Sequence, residues 1–264
     1  MSRRVLGIDL ASAGWASVGS ATIAFDDCHG IFTAVRPAAI AWPKCALTPA
    51  TLADVIDRFA RQHELCAVAL DGPQGWRNPG TPQGIPGVGR RCEYAARTQG
   101  KTGAWPTTYP RTQRAWIEFS IATFDRLLEK PGVELADRDD WEPSSTYGVL
   151  ECFPTSAWRA SGLKPLPAKS KRPPLQPFVD ALRETYLLPP FTTESHDDLQ
   201  AVVAALTAVG AAGGPLTAIP RGEPSATLDD GGIKRRVEGL IWDVKPIIRA
   251  KDRAVSAAQF PADR

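Results

Sequence analysis

An apolar run that closes on an aspartate occurs twice in this chain, and the pair restricts the fold more than any other feature. The first is Arg4-Val-Leu-Gly-Ile-Asp9, followed by small residues to Ala13. The second is the continuous run Leu65 to Leu70, which ends in Asp71-Gly72-Pro73. A short apolar run bounded by turn residues is the mark of a strand buried on both faces. The first therefore reads as an opening strand that delivers Asp9 to the mouth of a site, and the second as a buried central strand that closes on Asp71. On strand alternation Asp9 shares a face with Val5 and Gly7, and Asp71 with Ala67 and Ala69. Small neighbours leave room on that face for another element to approach. If the strands are adjacent, the two carboxylates meet at one edge. The plain alternative is that each aspartate caps a turn, a common role for this residue.

The rest of the chain supplies elements around these strands. Trp15 to Phe25 alternates small and apolar residues, Asp26 to Gly30 is a turn signal, and Ile31 to Trp42 is a second such run. With the first strand they form an antiparallel meander. The period changes from Pro49 to His63, where Leu52, Val55, Ile56 and Phe59 fall at helical spacing and Thr48 or Thr51 can cap. Trp116 to Lys130 is a helix with the stripe Ile117, Ile121, Phe124 and Leu128, and Glu134 to Glu142 is an acidic loop. Tyr147 to Phe153 is a strand with Glu151 inside its apolar run. A buried carboxylate is costly unless paired or metal-bound, so this acid is informative. Its alternative role is a buried salt bridge to an arginine. A short helix (Pro154 to Gly162), a basic proline-rich link (Lys164 to Pro177) and another helix (Phe178 to Leu188) follow.

The last strong element is Ser195 to Ala208, apolar nearly all round and so a buried helix. Asp197, Ala201, Ala204 and Ala208 form a stripe of small residues that lets the helix lie close on a sheet, with Asp197 at its N-terminal end. Acids also favour that position because of the helix dipole, which is the alternative reading of Asp197. Glu238 to Trp242 is a short apolar stretch before a polar end. The expected organisation is one domain over residues 1–250 with an inserted loop at 74–115, then a polar tail at 251–264.

That inserted loop carries Arg77, Arg90, Arg91, Arg97, Lys101, Arg111 and Arg114 against the single acid Glu93, with Trp76, Trp105 and Tyr109 interleaved. Basic groups among aromatics suit phosphates and exposed bases. They equally suit a solvated flap tacked down by its rings. The net charge of +2 does not itself argue for nucleic acid, and 43% hydrophobic against 23% charged residues is ordinary for a globular protein. No apolar run approaches the length that spans a bilayer. Strand-like sequence begins at once, so no signal peptide is expected. The five cysteines are scattered without a paired motif, so neither structural zinc nor a disulfide framework is expected, and a reducing cytoplasm fits.

Several carboxylates in one place raise one another's pKa unless a cation is present. Hard divalent ions with oxygen ligands are the natural remedy. Such ions can activate a water and stabilise a leaving oxygen in phosphodiester hydrolysis.

The order of strands and helices resembles the RNase H-like fold: a mixed five-stranded sheet, three antiparallel strands then parallel ones, flanked by helices. More closely, Gly7-Ile-Asp9-Leu-Ala11, Asp71-Gly-Pro73, Arg90-Arg-Cys-Glu93, Glu151-Cys-Phe-Pro154 and His196-Asp-Asp-Leu-Gln-Ala201, in this order, resemble domain of unknown function family 429, described as predicted RNase H-like nucleases. The resemblance implies Asp9, Asp71 and Asp197 as ligands of Mg²⁺ or Mn²⁺ and Glu151 as a further catalytic acid. It also implies Arg90, Arg91 and Glu93 at the substrate-binding mouth, and His196 orienting a water or contacting phosphate. The expected partner is nucleic acid. One departure stands out: Gln200 occupies a position where the family pattern tends to have a second aspartate, which weakens a second metal position. Two other functions remain open. One is a nucleic-acid-binding module with a decayed site. The other is a phosphotransferase of actin-like or sugar-kinase type, for which the Gly7 to Gly14 segment has the look of a phosphate loop.

Overall fold

The alternation at the start of the chain becomes an antiparallel meander of β1 (Ser2–Asp9), β2 (Gly19–Asp26) and β3 (Ile31–Pro37). The structure, a computed structural model, describes residues 2–81, 89–98, 100–143 and 146–246. The polar tail expected at 251–264, and residues 82–88 and 99 of the inserted loop, lie outside the described residues.

The second aspartate run is β4 (Ala67–Asp71), parallel to β1 with Asp9 opposite Asp71. β5 (Val133–Leu135) and β6 (Tyr147–Cys152) follow, β6 pairing in parallel with β4 and β5 pairing with the start of β6. The sheet then continues past the point expected from sequence. β7 (Leu216–Asp230) and β8 (Ile233–Pro246) form a long hairpin whose β8 adds in parallel to β6. The expected five-stranded sheet is therefore corrected to a mixed sheet of eight strands, in the order β3-β2-β1-β4-β6-β8-β7 with β5 beside β6.

The physical reason β7 escapes a pattern reading is its place at the edge. An edge strand tolerates prolines because its outer N–H groups need no partner in the sheet. Pro220 lies in the ladder, and a register irregularity between Glu223 and Ala226 absorbs Pro224. Glu238 stands opposite that irregularity with a left-handed φ of 56°. Gly231 and Gly232, with φ of 63° and 87°, make the tight reversal that a two-residue hairpin needs.

Helices cover both faces. α1 (Pro49–Gln62), opened by a reciprocal Thr48–Thr51 cap, lies on one face. In the inserted segment comes α2 (Arg91–Ala95), and then α3 (Arg114–Leu128), which packs beside α1. Leu6, Ile8, Val68 and Leu70 of the sheet pack here against Leu52, Ile56, Phe124 and Leu127. α4 (Pro154–Ala160), α5 (Gln176–Tyr186) and α6 (His196–Ala211) cover the opposite face over Val5, Ile23, Ala69 and Leu150. α6 lies in backbone contact with β1 and β2, because a Cβ at Gly7 would sit 2.0 Å from the Ala201 carbonyl oxygen and one at Gly19 2.2 Å from the Asp197 backbone. Among the described residues no helix is long and apolar enough to cross a membrane.

Candidate functional site

Strand register builds the floor of the site. Across the sheet it aligns Gly19, Asp9, Asp71 and Cys152. Asp9 and Asp71 have the parity of Val5 and Ala69, so both face α6. Asp197 lies in the first turn of α6, its main chain resting on Gly19. The start of that helix is fixed twice. Ser195 Oγ accepts from the Asp198 N–H at 3.0 Å, and the Ser20 N–H donates to Asp198 Oδ1 at 3.2 Å. Asp198 is thus a structural tie between β2 and α6. Asp9, His196 and Asp197 each bring a ligating atom to within 4.8 Å of the others.

The electrostatics of this floor are unfavourable without a cation. Burial pushes the Asp9 carboxyl well above its usual range, and Asp71 and Asp197 push it further. Burial likewise pushes Asp71 up to about 7, while Lys101 and the hydrogen bond from Asp9 pull the other way. The two aspartates stand opposite each other in register, so the pair holds one negative charge more easily than two.

His196 completes the set. Its Nε2 lies 2.9 Å from the Pro167 carbonyl, which can only accept, so Nε2 carries the hydrogen. Among the described residues its Nδ1 is buried without a hydrogen-bond partner, and it stands 3.5 Å from Asp197 Oδ1. A backbone carbonyl holding one ring nitrogen while the other faces carboxylates is the arrangement that orients a metal ligand. Carboxylate oxygens with one imidazole suit Mg²⁺ or Mn²⁺, the imidazole favouring Mn²⁺. The donor set fits the cation that the sequence resemblance implies.

Two lysines flank these groups. Lys169, from the proline-rich link, forms an ion pair with Asp197. Lys101, from the inserted loop, lies near Asp71 with its ammonium 5.5 Å from the rings of both Trp116 and Phe153. Sequence reading placed Lys101 only among the loop's charges and did not single out Lys169. Their approach to the acids is set by tertiary packing and has no periodic signal.

The remaining site residues expected from sequence leave the other face of the sheet or lie beyond it, although Glu151 is near enough to Asp71 to push its carboxyl up. Glu151 pairs with Leu70 and Ile241 in register, so it has the opposite parity and leaves the other face of the sheet. There Arg90 grips it with Nη1–Oε2 at 2.8 Å and Nη2–Oε1 at 2.5 Å, and the Gln74 N–H adds a bond at 2.9 Å. Burial pushes Glu151 up, and the Arg90 guanidinium and the Gln74 N–H pull it down. Arg90 is 1% exposed and so is a buried partner of Glu151. Glu93 accepts from the Arg90 and Lys101 backbones and from Thr102 Oγ1. The Arg91 side chain reaches out to Glu223 at 2.7 Å, half exposed. Gln200 is not free either, its Oε1 accepting from Trp158 Nε1 at 3.0 Å.

Glu238, read from sequence only as the start of an apolar stretch, anchors the inserted loop. Its carboxylate accepts from the Asn78 N–H, Thr81 Oγ1 and the Arg91 N–H, each at 2.9 Å. From this base a small turn closed by Thr102 and Thr108 projects, leaving Trp105 and Tyr109 exposed, with Arg235 3.9 Å above the Trp105 ring.

Among known proteins, the model of the family described as "Protein of unknown function (DUF429)" matches residues 7–225, a span that includes Asp9, Asp71, Glu151, Asp197, Lys101 and Lys169 but not Glu238. No curated protein and no solved structure matches the chain.

Proposed function

The chain belongs to the DUF429 family of proteins of unknown function, and we propose that it is a metal-dependent phosphodiesterase that hydrolyses nucleic acid on an RNase H-like framework. The observation that carries this reading is the buried, unpartnered Nδ1 of His196 facing Asp197 beside the Asp9–Asp71 pair. Asp9, Asp197 and His196 would hold Mg²⁺ or Mn²⁺, with Asp71 against Asp9. A bound ion of this kind supplies an activated water and charge stabilisation for the leaving oxygen.

The chain's own residues do the positioning. The Pro167 carbonyl fixes the His196 ring, and Ser195, Asp198 and Ser20 fix the start of α6. Lys101 and Lys169 put positive charge on two sides of the acids, which suits a phosphate. The exposed rings of Trp105 and Tyr109 offer faces on which bases can stack. The antiparallel meander followed by parallel strands, with acids on β1, at the end of β4 and on a late helix, supports the RNase H-like reading.

Two details weigh the alternatives. The bond from Trp158 to Gln200 favours one ion over two, and so keeps a weakly catalytic nucleic-acid-binding module as the second reading. A phosphotransferase needs backbone N–H groups turned toward phosphates. Folds of the actin-like or sugar-kinase type usually need a second Gly-rich loop, for which Asp71-Gly-Pro-Gln-Gly75 is a faint candidate; there the Gly72 N–H bonds Leu70 and the Gln74 N–H bonds Glu151, so these donors already have partners.

The test is cleavage of single-stranded, duplex, hybrid and branched DNA and RNA with Mn²⁺, wild type beside Asp71→Asn. Wild type is expected to cut at least one substrate, and Asp71→Asn to lose roughly a hundredfold or more in rate. An Asp71→Asn variant as active as wild type sinks the proposal. Salt-dependent binding without cleavage by either protein would support the binding module instead.

A further inference from the structure

Lys169 sits where a cation belongs. It projects from the link between α4 and α5, and its ammonium pairs with Asp197 Oδ2. The lysine side chain is 60% exposed and that of Asp197 only 12%, so the lysine closes the acidic floor from the solvent side. The segment that carries it is seated from below. Leu166 is buried in the core over α6, and the Pro167 carbonyl takes the His196 Nε2 hydrogen. The same peptide stretch therefore orients one candidate ligand, His196, and neutralises another, Asp197.

The exposed side of this segment has one chemistry. Lys164, Lys169, Lys171 and Arg172 are all exposed, and residues 164–177 contain no acid. Beyond Lys171 the chain turns through Arg172 in the left-handed region, φ 45°. Four cations on a short strip at the rim of a carboxylate cluster are not needed to neutralise it, since only Lys169 reaches an acid of that cluster. Their charge suits a polyanion passing over the rim.

A divalent ion held by Asp9, Asp197 and His196 changes the balance at Lys169. An ammonium and a divalent cation at contact distance repel, and the divalent ion binds a carboxylate more strongly. Lysine has a flexible stem and a compact charge, so it can leave one anion for another nearby without the backbone moving.

We propose that Lys169 is a resident counter-ion that the divalent metal displaces, and that the displaced ammonium then binds a backbone phosphate of the nucleic-acid substrate together with Lys171 and Arg172. This rests on the metal-dependent reading above and gives it an order of events: metal first, phosphate second. It also gives a signature with two opposite signs. Removing the charge at residue 169 strengthens metal binding, because a competitor is lost, and weakens nucleic-acid binding, because a phosphate contact is lost. A lysine with a merely structural role would not produce that split.

The experiment titrates Mn²⁺ alone into the metal-free full chain by calorimetry, at mildly alkaline pH, for wild type, Lys169→Met and Lys169→Arg. Binding of a short fluorescein-labelled single-stranded DNA is then followed by anisotropy at saturating Mn²⁺, with Asp71→Asn added to each protein to prevent cleavage. Lys169→Met is expected to bind Mn²⁺ about fivefold more tightly than its parent and the DNA about fivefold more weakly. Its salt dependence should flatten by about one phosphate contact. Lys169→Arg, which keeps the charge, should stay close to wild type in both. Mn²⁺ affinity that is unchanged or weaker in Lys169→Met overturns the counter-ion role. Unchanged DNA affinity, or no DNA binding by the parent, overturns the phosphate role. Failure of all three proteins to bind Mn²⁺ removes the metal-dependent reading itself, and this inference with it.

Discussion

The two faces of this sheet each bury a group of acids, and the groups are treated in opposite ways. On the face under the inserted loop, Glu151 has both nitrogens of the Arg90 fork and a backbone N–H. Glu93 and Glu238 each accept several bonds from backbone and threonine donors. On the α6 face, Asp9 and Asp71 face each other, Asp197 has an exposed lysine, and His196 Nδ1 has no hydrogen-bond partner among the described residues. Buried acids that are given protein donors hold a fold together. Buried acids that face one another destabilise it until something outside the chain arrives. That difference separates the structural group from the functional candidate more surely than burial, since both groups are substantially buried.

The largest expected effect comes from breaking the satisfied group. Glu151→Gln removes the charge that the buried Arg90 guanidinium grips and leaves it the longer Glu93 ion pair at 3.6 Å and the Glu238 carbonyl at 3.4 Å. Removing one partner of a buried pair costs about 3–5 kcal/mol. Denaturant unfolding of Glu151→Gln should show a loss of that order, and the inserted loop should become protease-sensitive, because Arg90 is one of its anchors. A variant as stable as wild type would place Glu151 among the functional acids after all.

A change of similar chemistry on the other face should act in the opposite direction and with a defined pH dependence. Folding raises the Asp71 carboxyl from its usual 3.8 to about 7, chiefly through burial. The native state therefore keeps a proton that the unfolded chain has released. The stability this group contributes is fully present below about pH 4 and is lost as pH rises through about 7. Asp71→Asn removes the titrating group at nearly constant shape. Without metal, thermal melts should show it more stable than wild type above pH 7 and the advantage shrinking in acid. Mn²⁺ should raise the wild-type transition above pH 7 and raise that of Asp71→Asn less. A wild-type-to-variant difference that does not change with pH would mean the Asp9–Asp71 pair carries no strain.

The contrast also explains what could be read in the sequence. Asp9 and Asp71 were legible because each ends an unbroken apolar run, and the shared small-residue face gave their direction. Asp197 was legible because the alanine stripe of α6 fixes which side meets Gly7 and Gly19. Glu151 falls with these acids on sequence alone because one strand's sequence carries no register. A single step of register decides which face a residue leaves, and register is a property of two strands together. The hairpin of β7 and β8 was hidden by Pro220, Pro224 and an exposed edge, although Asp230-Gly-Gly-Ile233 carries a usable turn signal. Lys169 lies in irregular chain, where no period says which way a side chain points.

The smallest expected effect tests where the boundary between the two groups runs. Arg90 and Arg91 are neighbours in sequence and were placed together at the mouth of the site by resemblance. The structure separates them. Arg90 is buried on Glu151, whereas the Arg91 side chain pairs with Glu223 at the surface, the two being 50% and 35% exposed. An ion pair so open to solvent contributes at most about 1 kcal/mol and less as salt rises. The bond from the Arg91 N–H to Glu238 belongs to the backbone and survives a side-chain change. Arg91→Ala should therefore shift the unfolding midpoint barely at all and leave kcat and KM for nucleic acid unchanged. If KM rises with stability intact, Arg91 contacts substrate from the face of the satisfied acids. The functional surface would then wrap around the ends of β4 and β6 instead of stopping at the Asp9–Asp71 pair.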